Sequence, residues 1–212
     1  MTKRKSYGQF CGLARSLDRV GDRWTLLVIR ELLLGERSYR ELEEALSGVS
    51  PSLLTARLAE LAGDGLVVRN GAPRRSKSVE YRLTDAGRAL EPVIFELIRW
   101  GSRWMTRGPG DDRVDPRWAP LALRALLDGQ PAGRGCVHLD VDGVQVTVEG
   151  VAGRRRVTAG HRSRADATVS APLPLVLAVA AQAIALEDSG AVVSGDAAVA
   201  RELLAGSGRI AP

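Results

Sequence analysis

The sequence predicts an α+β protein in two units, the first mostly helical and the second built on a sheet. Three observations predict it. The stretch from Ser38 to Leu83 spells a short helix, a turn, a second helix and two strands joined by a glycine- and arginine-rich loop. From Cys136 onward apolar residues alternate, the period of strands. Between the two, RGPGDDRVDPRW (Arg107 to Trp118) is rich in Pro, Gly and Asp and reads as a boundary. The expected units are residues 1–108 and 116–212, and a chain of 212 residues has room for two small domains.

In chain order, Leu13, Ala14, Leu17 and Val20 give Cys11–Gly21 a helical spacing. Asp22 is an N-cap candidate for TLLVIRELLL, a helix apolar almost all round that should form the buried centre and end at Gly35. Ser38 then caps RELEEAL, with Glu41 at the capping-box position. Ser47-Gly48 breaks that helix. Ser50 caps the next one, which runs to about Asp64, and Pro51 suits its first position. Leu54, Leu58 and Leu61 fall on its inner face. Ser52, Thr55, Ala56 and Arg57 include the outward positions, small bodies plus donors, as contact with a DNA groove requires. An amphipathic helix with a solvated face is the plainer reading.

Leu66–Arg69 and Val79–Leu83 read as paired strands around NGAPRRSKS. Arg74, Arg75 and Lys77 cluster there with no acidic neighbour, and cations so placed repel one another unless a polyanion neutralises them. A solvated loop is the alternative. Helix, turn, helix and basic hairpin together make the layout of a winged helix-turn-helix, which puts one helix into a DNA groove and a basic loop beside it. The fold class expected is therefore α+β, an N-terminal winged helix-turn-helix domain followed by a small α+β domain with an antiparallel sheet. Candidate DNA-contacting residues are Arg40, Ser50, Ser52, Leu53, Thr55 and Arg57 on the helices, and Arg74, Arg75 and Lys77 on the loop.

Thr84 should cap one long helix, DAGRALEPVIFELIRWGSRWM, bent at Pro92. Its Val93, Ile94, Leu97, Ile98, Trp100, Trp104 and Met105 exceed what a small domain buries on a terminal helix. With the first helix it is a candidate two-fold dimer seam. In the second unit, a helix from Trp118 to Leu127 precedes strands at Cys136–Asp142 and Val144–Glu149. Asp142-Gly143 between them is a hairpin signal. Further strands are expected at Arg154–Ala159, Ala165–Ser170 and Val192-Val193, with helices at Leu173–Leu186 and Ala197–Leu204.

The formal charge is +5, unevenly spread. Through Gly110 there are 19 Lys and Arg against 13 Asp and Glu, a net +6; the remainder carries 11 against 12, a net −1. The basic excess sits wholly in the half expected to meet phosphates. Cys11 and Cys136 are the only cysteines, too few for a disulfide framework, and no metal site or cofactor is expected. The N-terminus lacks the apolar core of a signal peptide, and Leu173–Leu186 is short for a membrane span, so a soluble cytoplasmic protein is expected. Nucleophile-elbow, zinc-protease, phosphate-loop and dinucleotide glycine patterns are all missing. His138 and His161 are the only histidines, and His138 has no nucleophile beside it. An enzyme is not expected.

FCGLARSLDRVGDRWTLLVIRELLLG, SYRELEEALSGVSPSLLTARLAELAGDGLV and VEYRLTDAGRAL resemble the HxlR family of bacterial winged-helix regulators, relatives of the MarR type. The resemblance covers about Tyr7 to Met105. It implies a homodimer on double-stranded DNA, binding an inverted-repeat operator as a repressor, with the Ser50–Asp64 helix in the major groove and the Arg74–Lys77 loop as the wing. It also makes Cys11 a redox-sensing candidate, because family members often carry a sensing cysteine just before the first helix. Here Gly12 follows it where many members have proline, and no resolving cysteine lies nearby. Arg15, one turn on, should favour the thiolate; a lone cysteine also serves as a small buried hydrophobe.

ADATVSAPLPLVLAVAAQAIALEDSGAVVSGDAAVARELL is similar to the sterol-carrier-protein-like fold. That similarity implies an apolar tunnel for a small apolar effector, walled by Leu139, Val141, Val146, Leu175 and Val179, residues that serve equally as plain core. The competing reading is a lipid-binding carrier that uses its winged helix for protein contacts.

Overall fold

The computed structural model describes residues 6–70, 80–105, 107–161 and 164–205. The chain divides into two compact units, Met1–Ile94 and Phe95–Pro212.

In the first unit α1 is Gly12–Val20, α2 Thr25–Leu33, α3 Tyr39–Ala45 and α4 Pro51–Gly63. The α2 helix supplies the centre through Val28, Ile29 and Leu32, packed inside with Leu42 of α3 and with Leu54, Leu58 and Leu61 of α4, all essentially inaccessible. Each such leucine contributes about 1.5–3 kcal/mol by leaving water. Asp22 does not cap α2. Its main-chain carbonyl, not its carboxylate, takes the Thr25 N–H at 3.2 Å, and Trp24 holds the cap position without a side-chain bond. Ser38 caps α3 in a complete capping box, accepting from the Glu41 N–H while the Glu41 carboxylate accepts the Ser38 N–H at 2.7 Å.

The α4 helix ends in a Schellman motif. The Leu66 N–H reaches the Leu61 carbonyl at 2.9 Å and the Gly65 N–H the Ala62 carbonyl at 3.0 Å, with Gly65 left-handed at φ +69°. The chain thereby turns straight into β2 (Val67–Asn70), which pairs antiparallel with β3 (Glu80–Leu83). A two-residue strand, β1 (Arg37–Ser38), adds to β3, giving the order β1-β3-β2. Two residues carry no readable alternation, so β1 has no signal in the sequence.

After β3, the helix expected to run unbroken from Asp85 is two: α5 (Asp85–Arg88) and α6 (Glu91–Ser102). The chain turns at Ala89-Leu90 and Pro92 takes the second position of α6, where the amide hydrogen it lacks has no helical partner. Thr84 caps α5, accepting the Gly87 N–H at 3.1 Å, and its own hydroxyl donates to the Gly65 carbonyl at 2.6 Å. Gly87 is pressed so closely on the Leu66 carbonyl that a Cβ would stand 2.1 Å from that oxygen.

The second unit holds a five-stranded sheet of β4 (Gly135–Val141), β5 (Val144–Val151), β6 (Arg154–Ala159), β7 (Ala167–Ser170) and β8 (Val192–Gly195), in the order β6-β5-β4-β7-β8. Asp142 and Gly143, at φ +50° and +85°, make the tight turn between β4 and β5 that their sequence announces. The sheet is mixed, not antiparallel throughout, because β4 and β7 run parallel. Val137, Leu139, Val141, Val146, Val148 and Val169 form the apolar face, covered by α7 (Ala119–Leu127), α8 (Leu173–Ala180) and α9 (Ala197–Leu204).

The α8 helix stops six residues before the expected Leu186. Gln182 adopts φ +57°, the Gln182 and Ala183 N–H groups bond back to the carbonyls of Val179 and Ala178, and a series of turns replaces further helix. Among the described residues no helix is long and apolar enough to cross a membrane.

Candidate nucleic-acid interface

The α3–α4 pair is set by its turn. Leu46 and Val49 are buried on either side of Gly48, which takes φ +101°. Ser50 then caps α4 from outside, accepting the Leu53 N–H at 3.3 Å, and Pro51 opens the helix. The first two turns of α4 expose Ser52, Thr55 and Ala56, and the next exposes Ala59; Leu53 is half-buried at the edge. This is a face of short side chains, of the kind that leaves room for close approach of a base edge.

Tyr39, which the sequence did not single out, organises that face. Its hydroxyl donates to the Pro51 carbonyl at 2.9 Å and accepts from the Thr55 hydroxyl at 3.4 Å, joining α3 to the start of α4. Arg40 stands exposed on α3, held by Glu44 at 2.8 Å. The Glu44 carboxylate, through its hydrogen bond and its charge, raises the Arg40 pKa above its ordinary value.

Arg57 is placed differently from the expected groove contact. Its guanidinium donates to the carboxylates of Asp22 and Glu60. The expectation for Asp22 changes with it: the carboxylate read as a helix cap is an ion-pair partner 35 residues away in sequence. No local spacing rule carries such a pairing.

Arg74, Arg75 and Lys77 fall within 71–79, outside the described residues. On either side of that stretch Asn70 and Glu80 are paired, and Arg69 on β2 is exposed. Arg69 adds a cation beside the hairpin that the sequence reading passed over, although it stands in the same run of residues.

Apart from this interface, Cys11 is exposed at the N-cap of α1, with extended backbone. The backbone N–H groups of Ala14 and, second, Leu13 lower the pKa of its thiol, although no capping hydrogen bond of full geometry closes between them. Arg15 does not contribute; its guanidinium is directed at Asp18, 3.9 Å away. Asp18 also accepts from the Tyr7 N–H and the Ser6 hydroxyl, both at 2.9 Å, which pins the preceding segment to α1. Tyr7, Phe10, Leu13 and Leu17 are all left exposed. On α6 and just beyond it, Leu97, Trp100, Trp104 and Met105 are exposed too, the two indoles packed edge to face at 4.6 Å.

Of the expected cavity residues, Leu175 and Val179 line a small hollow with Val169, Ala171, Leu186 and Leu204. Leu139, Val141 and Val146 belong instead to the closed core of the sheet. The hollow measures about 10 Å³, room for about one water. The two histidines stack on each other, centroids 4.0 Å apart and planes 6° from parallel. Among the described residues no cluster of His, Cys, Asp and Glu could hold a metal ion.

A family model described as HxlR-like helix-turn-helix matches residues 19–109, the helices and hairpin of this interface. The chain is similar to the uncharacterized HTH-type transcriptional regulator YvaP of Bacillus subtilis, at 36% identity over 91 residues, 43% of this chain and 84% of that protein. It is similar to regulator sll1512 of Synechocystis at 37% identity over 98 residues, 46% of this chain and 73% of that one. To regulator Mb3122 of Mycobacterium bovis it is 34% identical over 141 residues, 66% of this chain and 82% of that one. A match of 141 residues is longer than the whole first unit, so that likeness continues into the second. These relatives are regulators, not enzymes, and YvaP is matched over most of its length by helices that here form a DNA-reading layout. The chain belongs to the HxlR-like helix-turn-helix family of DNA-binding transcriptional regulators.

Proposed function

We propose that the protein is a repressor that binds an inverted-repeat operator as a homodimer, each copy laying the first two turns of α4 in a major groove. The observation that carries this reading is the α4 face itself: Ser52, Thr55 and Ala56 exposed on a helix whose start is fixed by Ser50, Pro51 and the Tyr39 hydroxyl. Arg40 on α3 and the Arg74, Arg75 and Lys77 loop would meet flanking phosphates, and Ser50 and Leu53 sit at the edge of the contact. Two-fold pairing is supported by exposed apolar residues of α1 and its lead-in, Phe10, Leu13 and Leu17, and by those of α6, Leu97 and Trp100. A two-fold dimer places its reading helices about one helical turn of DNA apart.

The second unit is proposed as the regulatory part, a sterol-carrier-protein-like domain taking a small apolar effector between α8 and the sheet, with Cys11 as a second input through thiol oxidation. A hollow of about 10 Å³ admits no such effector as it stands, so binding requires α8 and the segment after it to part from β7. The same small hollow weighs against a lipid carrier.

The test is a mobility shift of the full chain on duplex DNA from upstream of its own gene, at two salt concentrations, with sedimentation of the free protein. Dimeric protein and a shift that resists random competitor and weakens steeply with salt are the expected results. Binding no tighter than to random duplex, by a monomer, would overturn the proposal.

A further inference from the structure

Besides the Tyr39 bonds at its start, α4 is held to the rest of the first unit by its leucines and by an ion pair. Leu54, Leu58 and Leu61 fix its depth in the core. Arg57 lies on the flank between that apolar edge and the exposed Thr55–Ala56 face, and its guanidinium reaches Asp22 in the turn between α1 and α2. Glu60, one turn further along α4, accepts from the same nitrogen. The Arg57 side chain keeps 17% of its exposure, against 51% for Asp22 and 43% for Glu60. One cation facing two carboxylates leaves a net −1 at this point, the wrong sign for a phosphate and no free charge for a base.

We propose that Arg57 is a positioning residue and that the Arg57–Asp22 pair is a strut that sets the rotation of α4 about its own axis. Leucines on one face allow a helix to roll by part of a turn while staying buried. A charged tie on the flank, 35 residues away in sequence, removes that freedom. Thr55 and Ala56 are the neighbours of Arg57, so a roll re-aims the side chains that approach the bases. The strut thus governs sequence selectivity without touching DNA. It rests on the reading of α4 as the groove helix.

Simple electrostatics predicts the opposite sign for a change at Asp22. Asp22 is an acid in a DNA-binding unit, and deleting it should tighten binding to a polyanion if charge alone mattered. If the pair is a strut, Asp22→Asn weakens binding to the preferred site.

The full chain and its D22N, R57A and double variants are measured on two duplexes. One is the sequence the wild type enriches from a random pool; the other is a random duplex of equal length. Affinity is read across a salt series, and amide exchange of α4 is followed without DNA. The expected result is a two- to tenfold loss on the enriched duplex for D22N, about the range for a partly screened ion pair. R57A falls alike, and the double variant no further than the worse single one. Binding to random duplex and the salt slope stay at wild-type values, and exchange in α4 quickens in D22N.

Tighter binding by D22N would overturn the proposal. So would a salt slope lowered by about one phosphate in R57A with no coupling to Asp22, since Arg57 would then be a contact. Arg57→Ala is the harsher change, so the near-isosteric D22N carries the test if R57A folds poorly. If the wild type enriches no sequence, the reading of α4 fails, and unaltered exchange in D22N would then sink the strut as well.

Discussion

The two units of this chain finish their cores differently. The second closes over its sheet: Val137, Leu139, Val146 and Val148 are sealed beneath three helices. The first seals α2 and α4 equally well but leaves Tyr7, Phe10, Leu13 and Leu17 in water along α1 and its lead-in. On the pairing proposed above, that exposed apolar face is where a second copy would dock. The residues that fold the first unit are thus distinct from those left on its surface.

The largest effects are expected at the two cores. Leu58→Ala in the first unit and Leu139→Ala in the second should each cost about 2–5 kcal/mol, since both side chains are enclosed and leave a cavity. Chemical unfolding followed by tryptophan fluorescence measures both; a cost below about 1 kcal/mol at either site would show that its core relaxes freely. Leu13→Ala, on the exposed face, should leave folding of the first unit nearly unchanged and act on association instead.

Gly87→Ala comes next. Its Cβ would stand 2.1 Å from the Leu66 carbonyl oxygen, so α5 must back away from the hairpin, at about 1–3 kcal/mol. A melting temperature unchanged from wild type would show that the contact yields easily.

Asp115 gives a pH-dependent test in the second unit. The Arg117 side chain, first among its partners, with the Arg117 backbone N–H and the charge of Arg113, holds its carboxyl below the usual carboxylate range, while burial works the other way. A carboxyl whose pKa is lowered by folding stabilises the fold above its unfolded pKa, and the contribution is lost as pH falls through the folded value. Asp115→Asn should therefore destabilise by about 1–3 kcal/mol at neutral pH, and the gap from wild type should narrow in acid. A gap that is constant with pH would place the effect in packing instead of charge.

The smallest perturbation is covalent. Cys11 is exposed and its thiol pKa is lowered, while Cys136 is buried in β4. A thiol-alkylating reagent near neutral pH should modify Cys11 promptly and Cys136 only after unfolding, with mass spectrometry as the readout. Equal rates at the two would show that the sheet opens more readily than its core implies.

What could be read ahead of the structure was local. Ser38 with Glu41, Ser50 with Pro51, and Asp142 with Gly143 each settle a boundary through atoms a few residues apart, and each is found as read. The leucines at 54, 58 and 61 declare their own inner face. What could not be read depends on distant partners. The parallel pairing of β4 with β7, the two-residue β1 and the early end of α8 at a left-handed Gln182 arise from packing that no short window contains. The site divides in the same way. Ser52, Thr55 and Ala56 were legible as an outward face, whereas the bond from Tyr39 to the Pro51 carbonyl and the turn of Arg57 toward Asp22 were not.

The Thr84 hydroxyl bonded to the Gly65 carbonyl, and Gly87 seated on the carbonyl of Leu66, weld the base of the hairpin to the tail of α4. Neither part can swing while the other stays still. A displacement of the tail of α4 is therefore carried to the base of the hairpin, as the jaw of a caliper carries its tip.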